Sequence, residues 1–222
     1  MKIIPLLLFA IGTSISGQNV SFDQSDRSIM IRNGVFSESE KDSKILGSQF
    51  FTESYIDAEI VNANANVKAK YNAFKDEVEV LKDEKGFIIS KIPEYKVVKF
   101  LPTNEYLELV KYYDEKGNET EGYLFQVAKK GDVVLYKKEK ITLEKGRAAT
   151  SSYDSDVPSK YKRQSPKYFI TDEGGKILQF PDNKKRVIDL FPSKKSQIEE
   201  YIKAKKPNFS QEADVINFLK AI

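Results

Sequence analysis

Basic and aromatic residues lie together in one short stretch of the chain, residues 161–168, which contains no acidic residue. The mixture of cations and aromatic rings is typical of a groove that holds phosphate groups or a single-stranded polyanion. The alternative is a solvated loop followed by an edge strand, where lysines discourage aggregation. The candidate ligand-binding residues are Tyr161, Lys162, Arg163, Lys167 and Tyr168.

Two acidic residues, Asp154 and Asp156, lie in a polar stretch without periodicity, residues 146–165. Carboxylate oxygens are the ligands that Ca²⁺ prefers, so this pair is a candidate metal site. The pattern lacks the glycine and glutamate that complete a calcium-binding loop. The alternative is that both carboxylates only solvate a long surface loop.

Asp76, Glu77 and Glu79 place three carboxylates in one predicted strand. Two carboxylates about 5–10 Å apart can serve as acid and base in glycoside hydrolysis. The alternation of the strand instead predicts that Glu77 and Glu79 face solvent together with Lys75. Asp76 falls on the apolar side of the pattern, and we expect it to hydrogen-bond the backbone of an irregularity near Asn72. The chain also contains no Trp, which argues against a sugar site.

Missing residue types narrow the possible chemistry further. The chain contains no His and no Cys. Catalytic triads, thiol chemistry, disulfides and histidine or thiolate metal sites are therefore excluded, and no cofactor is indicated. The net charge of +3 is too small to indicate nucleic acid, although residues 129–167 hold eleven basic and five acidic residues.

A run of β-strands between residues 49 and 181 is expected to position these side chains. Three connections, at residues 83–86, 114–117 and 172–175, begin with Asp and end with Gly. This spacing is typical of a hairpin with a type I turn and a bulge, and it predicts positive φ at Gly86, Gly117 and Gly175. Successive hairpins favour an antiparallel meander that forms a sandwich or a barrel-like domain. The predicted strands are 54–61, 66–81 (one strand or two), 86–91, 95–100, 105–113, 122–129, 133–143, 167–171 and 176–180.

The C-terminal residues 182–222 predict a helical tail that packs on the β domain. Helices are expected at residues 184–190, 194–205 and 211–222, with Ser193 and Ser210 as N-caps of the last two. Short helices need a partner surface for their apolar faces. Their apolar stripes are Ile198, Tyr201 and Ile202 in one helix, and Val215, Phe218, Leu219 and Ile222 in the next.

The N-terminal residues 1–17 have the pattern of a secretory signal peptide. One positive charge at Lys2 precedes an apolar run over residues 3–11, and small residues lead to Gly17. The apolar run is too short for a transmembrane anchor. We therefore expect cleavage near Gly17 and a periplasmic or extracellular protein. Residues 18–48 predict a poorly ordered lead-in that adds at most one edge strand, around residues 29–31.

Three segments, GSQFFTESYIDAEIV, KYNAFKDEVEV and LFPSKKSQIEEYIKAKKPNFSQEADVINFL, resemble small exported proteins of unknown function from Bacteroidota. The resemblance implies export and a β domain with a helical tail, and it assigns no catalytic or binding residue. Residues and resemblance together favour a non-enzymatic exported module that binds a protein or an anionic envelope component. Nucleic acid is not an expected partner outside the cytoplasm. The alternative is a carboxylate-based hydrolase acting on an envelope or extracellular glycan.

Overall fold

Antiparallel strands dominate the structure, a computed structural model that describes residues 31–32, 45–151 and 153–222. The predicted mainly antiparallel fold with short C-terminal helices is confirmed. The predicted signal peptide, residues 1–17, and most of the predicted lead-in lie outside the described residues. The strands are β1 (Ile31–Arg32), β2 (Ile56–Ile60), β3 (Ala65–Asn72), β4 (Glu77–Lys82), β5 (Lys85–Ile89), β6 (Val97–Phe100), β7 (Glu105–Tyr113), β8 (Glu119–Lys130), β9 (Val133–Lys138), β10 (Ile141–Glu144), β11 (Lys160–Arg163), β12 (Lys167–Thr171) and β13 (Ile177–Gln179).

The N-terminal half is an antiparallel sheet with the spatial order β1-β5-β4-β3-β2-β6-β7. The alternating stretch that predicts a strand over residues 66–81 forms β3 and β4, which are separated by a turn at residues 73–76. Ala69 lies opposite Val80, and Tyr71 lies opposite Val78. These four side chains are buried on the inner face of the sheet, because alternate residues of a strand share one face.

The C-terminal half is a closed ring of five strands in the order β7-β8-β9-β12-β13. One edge of β7 pairs with β6 at its start and with β13, in parallel, at Tyr112 and Tyr113. Its other edge pairs with β8 along the whole length. Strand β7 is therefore shared by both halves. Strand β8 belongs to the ring, and its Tyr123 and Phe125 side chains pack into the apolar cluster of the N-terminal half. Tyr112, Leu124, Tyr136 and Phe169 pack together as one buried cluster of this ring.

Three short helices cover one face of the ring: α1 (Lys184–Ile188), α2 (Lys195–Lys205) and α3 (Glu212–Ala221). Val215, Phe218 and Leu219 of α3 are buried in one apolar cluster with Leu135 and Ile170 of the ring. The centre of the Phe218 aromatic side chain lies 5.6 Å from that of Phe180 and 5.4 Å from that of Phe209. Aromatic pairs at these separations add to the stabilisation from buried area.

The predicted helix caps at Ser193 and Ser210 are wrong. Lys194 and Gln211 occupy the cap positions of α2 and α3, and neither side chain makes a capping hydrogen bond. A 3₁₀ turn at Pro192–Lys194 runs directly into α2, so Ser193 lies inside a helical turn, and its hydroxyl bonds Glu173. Asn183, which precedes α1, is a true cap and accepts a hydrogen bond of 2.9 Å from the Lys185 N–H.

Two of the three predicted turn glycines adopt positive φ. Gly117 has φ +81° and Gly175 has φ +78°, whereas Gly86 lies in β5 with no positive φ. The prediction for Gly86 is wrong because the β4–β5 hairpin uses a two-residue loop instead. Asp83 and Glu84 form that loop. Their φ angles of 48° and 63° are those of a type I′ turn.

The predicted loop at residues 146–165 contains a strand that the pattern did not indicate. Residues Lys160–Arg163 form β11, which pairs antiparallel with β10. Leu46 forms an isolated parallel β-bridge with Lys160, and its backbone hydrogen-bonds Ser159 and Tyr161 along the outer edge of β11. A strand this short and this basic carries too little apolar alternation to be recognised from sequence.

Candidate functional site

The candidate site centres on Asp76, which lies at the end of the turn between β3 and β4. Asp76 has φ +60°, a left-handed conformation that Asp tolerates better than most residues. The Asn72 side chain builds the turn by accepting hydrogen bonds from the Phe74 and Lys75 N–H groups at 3.2 and 2.9 Å. The irregularity expected near Asn72 is this turn, and Asn72 rather than Asp76 bonds its backbone.

The Asp76 carboxylate gathers donors from four other residues. Tyr71 donates its hydroxyl to Oδ1 at 2.7 Å, and the Lys91 ammonium lies 3.1 Å from Oδ2. The Lys138 ammonium contacts Oδ1, and the Tyr123 N–H lies 3.2 and 3.3 Å from the two oxygens. We call Tyr71, Asp76, Lys91, Tyr123 and Lys138 the Asp76 cluster.

Lys138 is the last residue of β9, and it links the ring to the N-terminal half. Its ammonium donates to the Tyr123 carbonyl at 3.0 Å and to the Tyr71 hydroxyl at 3.4 Å, in addition to Asp76. Three acceptors therefore surround its three N–H groups, as an ammonium requires. Burial lowers the pKa of Lys138, and the charge and hydrogen bond of Asp76 oppose that shift. Beyond the end of β9, no strand of this ladder among the described residues pairs with Tyr123. Asp76 instead accepts from the Tyr123 N–H, and Lys138 donates to the Tyr123 carbonyl.

Gly122 provides the space for this ion pair. A Cβ at this position would lie 2.5 Å from Asp76 Oδ2 and 3.2 Å from Lys138 Nζ. The first distance is far inside van der Waals contact, so any side chain would displace the carboxylate. Gly122 lies in β8 without positive φ, so this close approach is what requires glycine here.

The environment keeps Asp76 ionised. Burial alone would raise the pKa of Asp76, but the charge and hydrogen bond of Lys138, the hydrogen bond of Tyr71 and the charge of Lys91 hold this pKa below its usual value. Burial also raises the pKa of the Tyr71 hydroxyl far above its usual value, and the negative charge of Asp76 adds to that shift. A carboxylate with a lowered pKa is a poor general acid at neutral pH.

Glu79 lies on the opposite face of β4 and is buried, although the sequence predicts it to face solvent. Its side chain accepts a hydrogen bond from the Tyr55 hydroxyl and lies 3.3 Å from Lys70 Nζ. Lys70 in turn lies 3.8 Å from the ring centre of Phe50 and 4.3 Å from that of Tyr55. The segment before β2 therefore covers this face, which is why the prediction of exposure for Glu79 is wrong.

A Cβ on Gly86, which the turn pattern assigns to a loop, would collide with Glu79 Oε1 and with the Tyr55 hydroxyl. The absence of a side chain at Gly86 therefore leaves room for the ion pair between Glu79 and Lys70. Asp76 faces the side of Tyr71, whereas Glu79 pairs with Lys70 on the other side. The two carboxylates consequently do not share one cleft.

The predicted ligand-binding residues of β11 are divided between two faces. Tyr161 packs against Phe74 with ring centres 5.3 Å apart, and Arg163 lies 4.6 Å from the ring centre of Phe51. Lys162 points to the other face, where its ammonium lies 2.6 Å from Glu144. Alternation along the strand separates Lys162 from its two neighbours.

Lys167 and Tyr168 begin the next strand, and they are likewise separated. Tyr168 is buried against the helices, and its hydroxyl lies 3.3 Å from Glu212. Lys167 is exposed opposite Lys138 in the β9–β12 ladder. The structure thus does not bring the five predicted residues into one groove, and ligand binding by them stays a prediction.

The two predicted metal ligands are both bonded within their own loop. Asp154 pairs with Arg147, and Asp156 accepts a hydrogen bond of 2.8 Å from the Ala149 N–H. Within residues 45–151 and 153–222, no group of three or more acidic side chains converges on one point. A metal site at Asp154 and Asp156 therefore stays a prediction without further ligands.

Two surface grooves flank the ring where it meets the helices. The larger, about 660 Å³, lies between the β8–β9 and β12–β13 turns and the end of α3. The smaller, about 510 Å³, lies between the β7–β8 turn and α1. In the larger groove Lys130 and Lys194 donate to the carbonyls of Lys220 and Ile222, so these cations complete the C-terminal end of α3.

Sequence reasoning found Asp76 but missed its partners. The local signal was a carboxylate on the apolar side of an alternating pattern. Tyr71, Lys91, Tyr123 and Lys138 come from four other points of the chain, and no spacing in the sequence links them.

Fold and site together define a mainly antiparallel β protein in which a partly buried ion cluster joins two halves that share strand β7. No family model, no curated protein and no solved structure matches this chain. Among the described residues, no helix has the length and apolar character needed to cross a membrane.

Proposed function

We propose that this chain is a non-enzymatic exported module that binds a protein or an anionic cell-envelope component. The observation that carries the proposal is the complete use of Asp76 within the fold. Its two oxygens accept from Tyr71, Lys91, Lys138 and the Tyr123 backbone, so the carboxylate has a structural role. Because donors of the fold already bond both oxygens, the carboxylate is not free to act on a substrate, which favours the binding module over the hydrolase.

The hydrolase alternative needs two carboxylates that face one glycosidic bond. Asp76 and Glu79, the best candidates, contact opposite faces of the sheet, and each is held by its own lysine. Asp76 also has a lowered pKa, whereas a general acid needs a raised one. These contacts argue against catalysis by this pair.

Export is part of the same proposal and is supported by the pattern of residues 1–17 and by the resemblance to exported proteins of Bacteroidota. We expect a mature chain that begins near Gln18. Intact-mass measurement of the protein recovered from the exported fraction tests this expectation. Retention of residues 1–17 in that fraction would contradict export with cleavage.

The binding function is tested by sedimenting the mature chain with envelope fractions of the organism that makes it. We expect saturable sedimentation that weakens as salt is added, because charges on the surface are screened. The same fractions are assayed for newly released reducing sugars. Sugar release that is lost in a folded Asp76→Asn variant would overturn the proposal in favour of a hydrolase.

A further inference from the structure

One corner of the molecule concentrates exposed apolar side chains. Leu46 is 56% exposed, Phe74 39%, Tyr153 101% and Val157 46%. In the described residues, only two other large apolar side chains reach such exposure, Val61 and Leu101. The four side chains lie near β11, because Leu46 bridges to Lys160, Phe74 packs on Tyr161, and Tyr153 and Val157 belong to the loop that precedes this strand. We call residues 45–51, 74–75, 141–151 and 153–163 the β11 corner.

The loop of the β11 corner is held in a defined shape. Arg147 and Val157 exchange two backbone hydrogen bonds of 2.9 and 2.8 Å. Gly146 allows the two arms to approach, since a Cβ there would collide with the Val157 carbonyl. Asp154 bonds Arg147, and Asp156 bonds the Ala149 N–H. Hydrogen bonds therefore hold the described arms of this loop, which display Tyr153 and Val157.

Positive charge surrounds these apolar side chains. The β11 corner contains six basic and three acidic residues, a net charge of +3. Two of the acidic residues are paired within the corner, Glu144 with Lys160 and Lys162, and Asp154 with Arg147. Lys75 and Lys145 are exposed and make no ion pair with other described residues. The corner therefore offers uncompensated cations beside apolar groups.

We propose that the β11 corner binds the surface of an anionic lipid membrane. Exposed aliphatic and aromatic side chains bury their apolar parts at the boundary between headgroups and acyl chains, where the polar tip of Tyr stays hydrated. Lysines and arginines around them attract anionic headgroups. An apolar patch on a protein surface by itself also fits a protein partner. The two uncompensated lysines, Lys75 and Lys145, favour the anionic lipid surface.

This inference rests on the proposed function and names the envelope component as lipid. It also gives a role to part of the predicted ligand-binding stretch. Within the corner, Tyr161 packs on Phe74 and the exposed Arg163 lies over the ring of Phe51, so both support its apolar side chains. Lys162 lies on the exposed face with Lys160, where the two cations share one carboxylate.

The test uses a Trp reporter, because the chain contains no Trp of its own. Tyr153→Trp places the reporter at the tip of the loop, and Leu101→Trp places a matched reporter at an exposed site in another turn. Both full-length mature variants are mixed with phosphatidylcholine vesicles, with and without phosphatidylglycerol. We expect a blue shift of Trp emission only for Tyr153→Trp and only with anionic vesicles.

A charge variant tests the electrostatic part. Lys75→Glu with Lys145→Glu should weaken vesicle binding by roughly fivefold for each elementary charge removed near the surface. Lys203→Glu with Lys205→Glu makes the same change in net charge on the exposed face of α2 and should leave binding nearly unchanged. Equal weakening by both pairs would show attraction by net charge only and would overturn the assignment to the β11 corner.

The outcomes separate this inference from the proposed function. Absence of any vesicle binding, while the chain still sediments with envelope fractions, overturns the lipid assignment and leaves the binding module intact. Sedimentation that is lost after protease treatment of the envelope identifies a protein partner and also overturns the lipid assignment. Absence of binding to both vesicles and envelope fractions overturns both proposals.

Discussion

A partly buried carboxylate is stable only when the groups around it replace the water it has lost, and Asp76, whose side chain is 24% exposed, shows how this sheet does so. Two ammonium groups, a hydroxyl and a backbone N–H surround its two oxygens. The same arrangement bonds the Tyr123 backbone where β9 has ended. The ion pair between Asp76 and Lys138 therefore depends on the same side chains that hydrogen-bond the Tyr123 backbone at the edge of the sheet.

We expect Asp76→Asn to lower the free energy of unfolding by about 2–3 kcal/mol, because it leaves the buried Lys138 ammonium without its counter-charge. The side chain keeps its shape, so packing is preserved. Urea titration at neutral pH measures the effect. Asp57→Asn, which breaks the exposed pair with Lys68, is the matched control and should cost less than about 1 kcal/mol. If both variants lost equal stability, the pair would have no special structural role.

The pH dependence of stability follows from the lowered pKa of Asp76. Because the pKa of the folded state lies below that of the unfolded chain, the contribution of Asp76 is complete above about pH 4 and is lost as the pH falls through the folded-state value. The wild type should therefore lose more stability than Asp76→Asn between neutral and acidic pH. Parallel urea midpoints of the two proteins across that range would contradict this. Asp114 and Glu119, whose pKa values are also lowered, remain in both proteins and cancel.

Gly122→Ala should destabilise the fold by about 1–3 kcal/mol, because its Cβ would overlap the Asp76 carboxylate. Gly174→Ala is the control, since its Cβ would meet the Asp172 side chain at 3.3 Å, a tight contact that a shift of a few tenths of an ångström in this loop carboxylate relieves. Thermal or urea unfolding measures both. In an Asp76→Ala background the cost of Gly122→Ala should shrink, and an unchanged cost would show that the carboxylate is not the obstacle.

At the scale of single residues, the sequence predicts which groups are unusual better than it predicts what they contact. The position of Asp76 on the apolar side of its strand marked it as special. The burial of Glu79 was not predictable, because the covering residues Phe50 and Tyr55 lie far from Glu79 in the sequence. Contacts between distant segments depend on topology, which local patterns do not contain.

At the scale of elements, the turns follow rules that the sequence contains. Asp114 and Asp172 each accept two backbone hydrogen bonds of 2.8 or 2.9 Å inside their own loops. Gly117 and Gly175 then take positive φ, as the spacing predicts. The third loop of this kind differs, because Asp83 and Glu84 form a two-residue turn and displace Gly86 into a strand. The β4–β5 ladder continues to Lys82 and Lys85 and leaves two loop residues, whereas the loops at residues 114–118 and 172–176 have five each.

Gly117→Val should cost about 1–2 kcal/mol. Open space surrounds the position, so the cost comes from positive φ and not from a clash. Gly117→Asn should cost less, since Asn tolerates the left-handed conformation. Thermal unfolding of the two variants measures the difference. Equal midpoints for Val, Asn and the wild type would show that the turn can change its conformation without loss.

At the scale of the whole molecule, the two halves are joined by strand β7, which they share, and by the Asp76 cluster. β7 pairs with β6 in the N-terminal half and with β8 and β13 in the ring, and Lys138 of the ring reaches the turn of the N-terminal sheet. The helices bury Leu135 and Ile170, which would otherwise lie on an open face of the ring. The amphipathic stripes in the sequence predict that these helices need a partner, but they do not name the strands that provide it.

Because the helices and the ring share one apolar cluster, a change in α3 should destabilise the entire molecule. Leu219→Ala should lower the free energy of unfolding by about 2–5 kcal/mol, whereas Leu101→Ala, at an exposed turn, should cost less than about 1 kcal/mol. Urea unfolding followed by tyrosine fluorescence and by circular dichroism should give one coincident transition for each variant. Truncation after Pro181 should go further and expose the ring face, with loss of the cooperative transition. If the truncated chain kept the wild-type midpoint, the helices would not belong to the core, and their apolar stripes would be free to dock another protein.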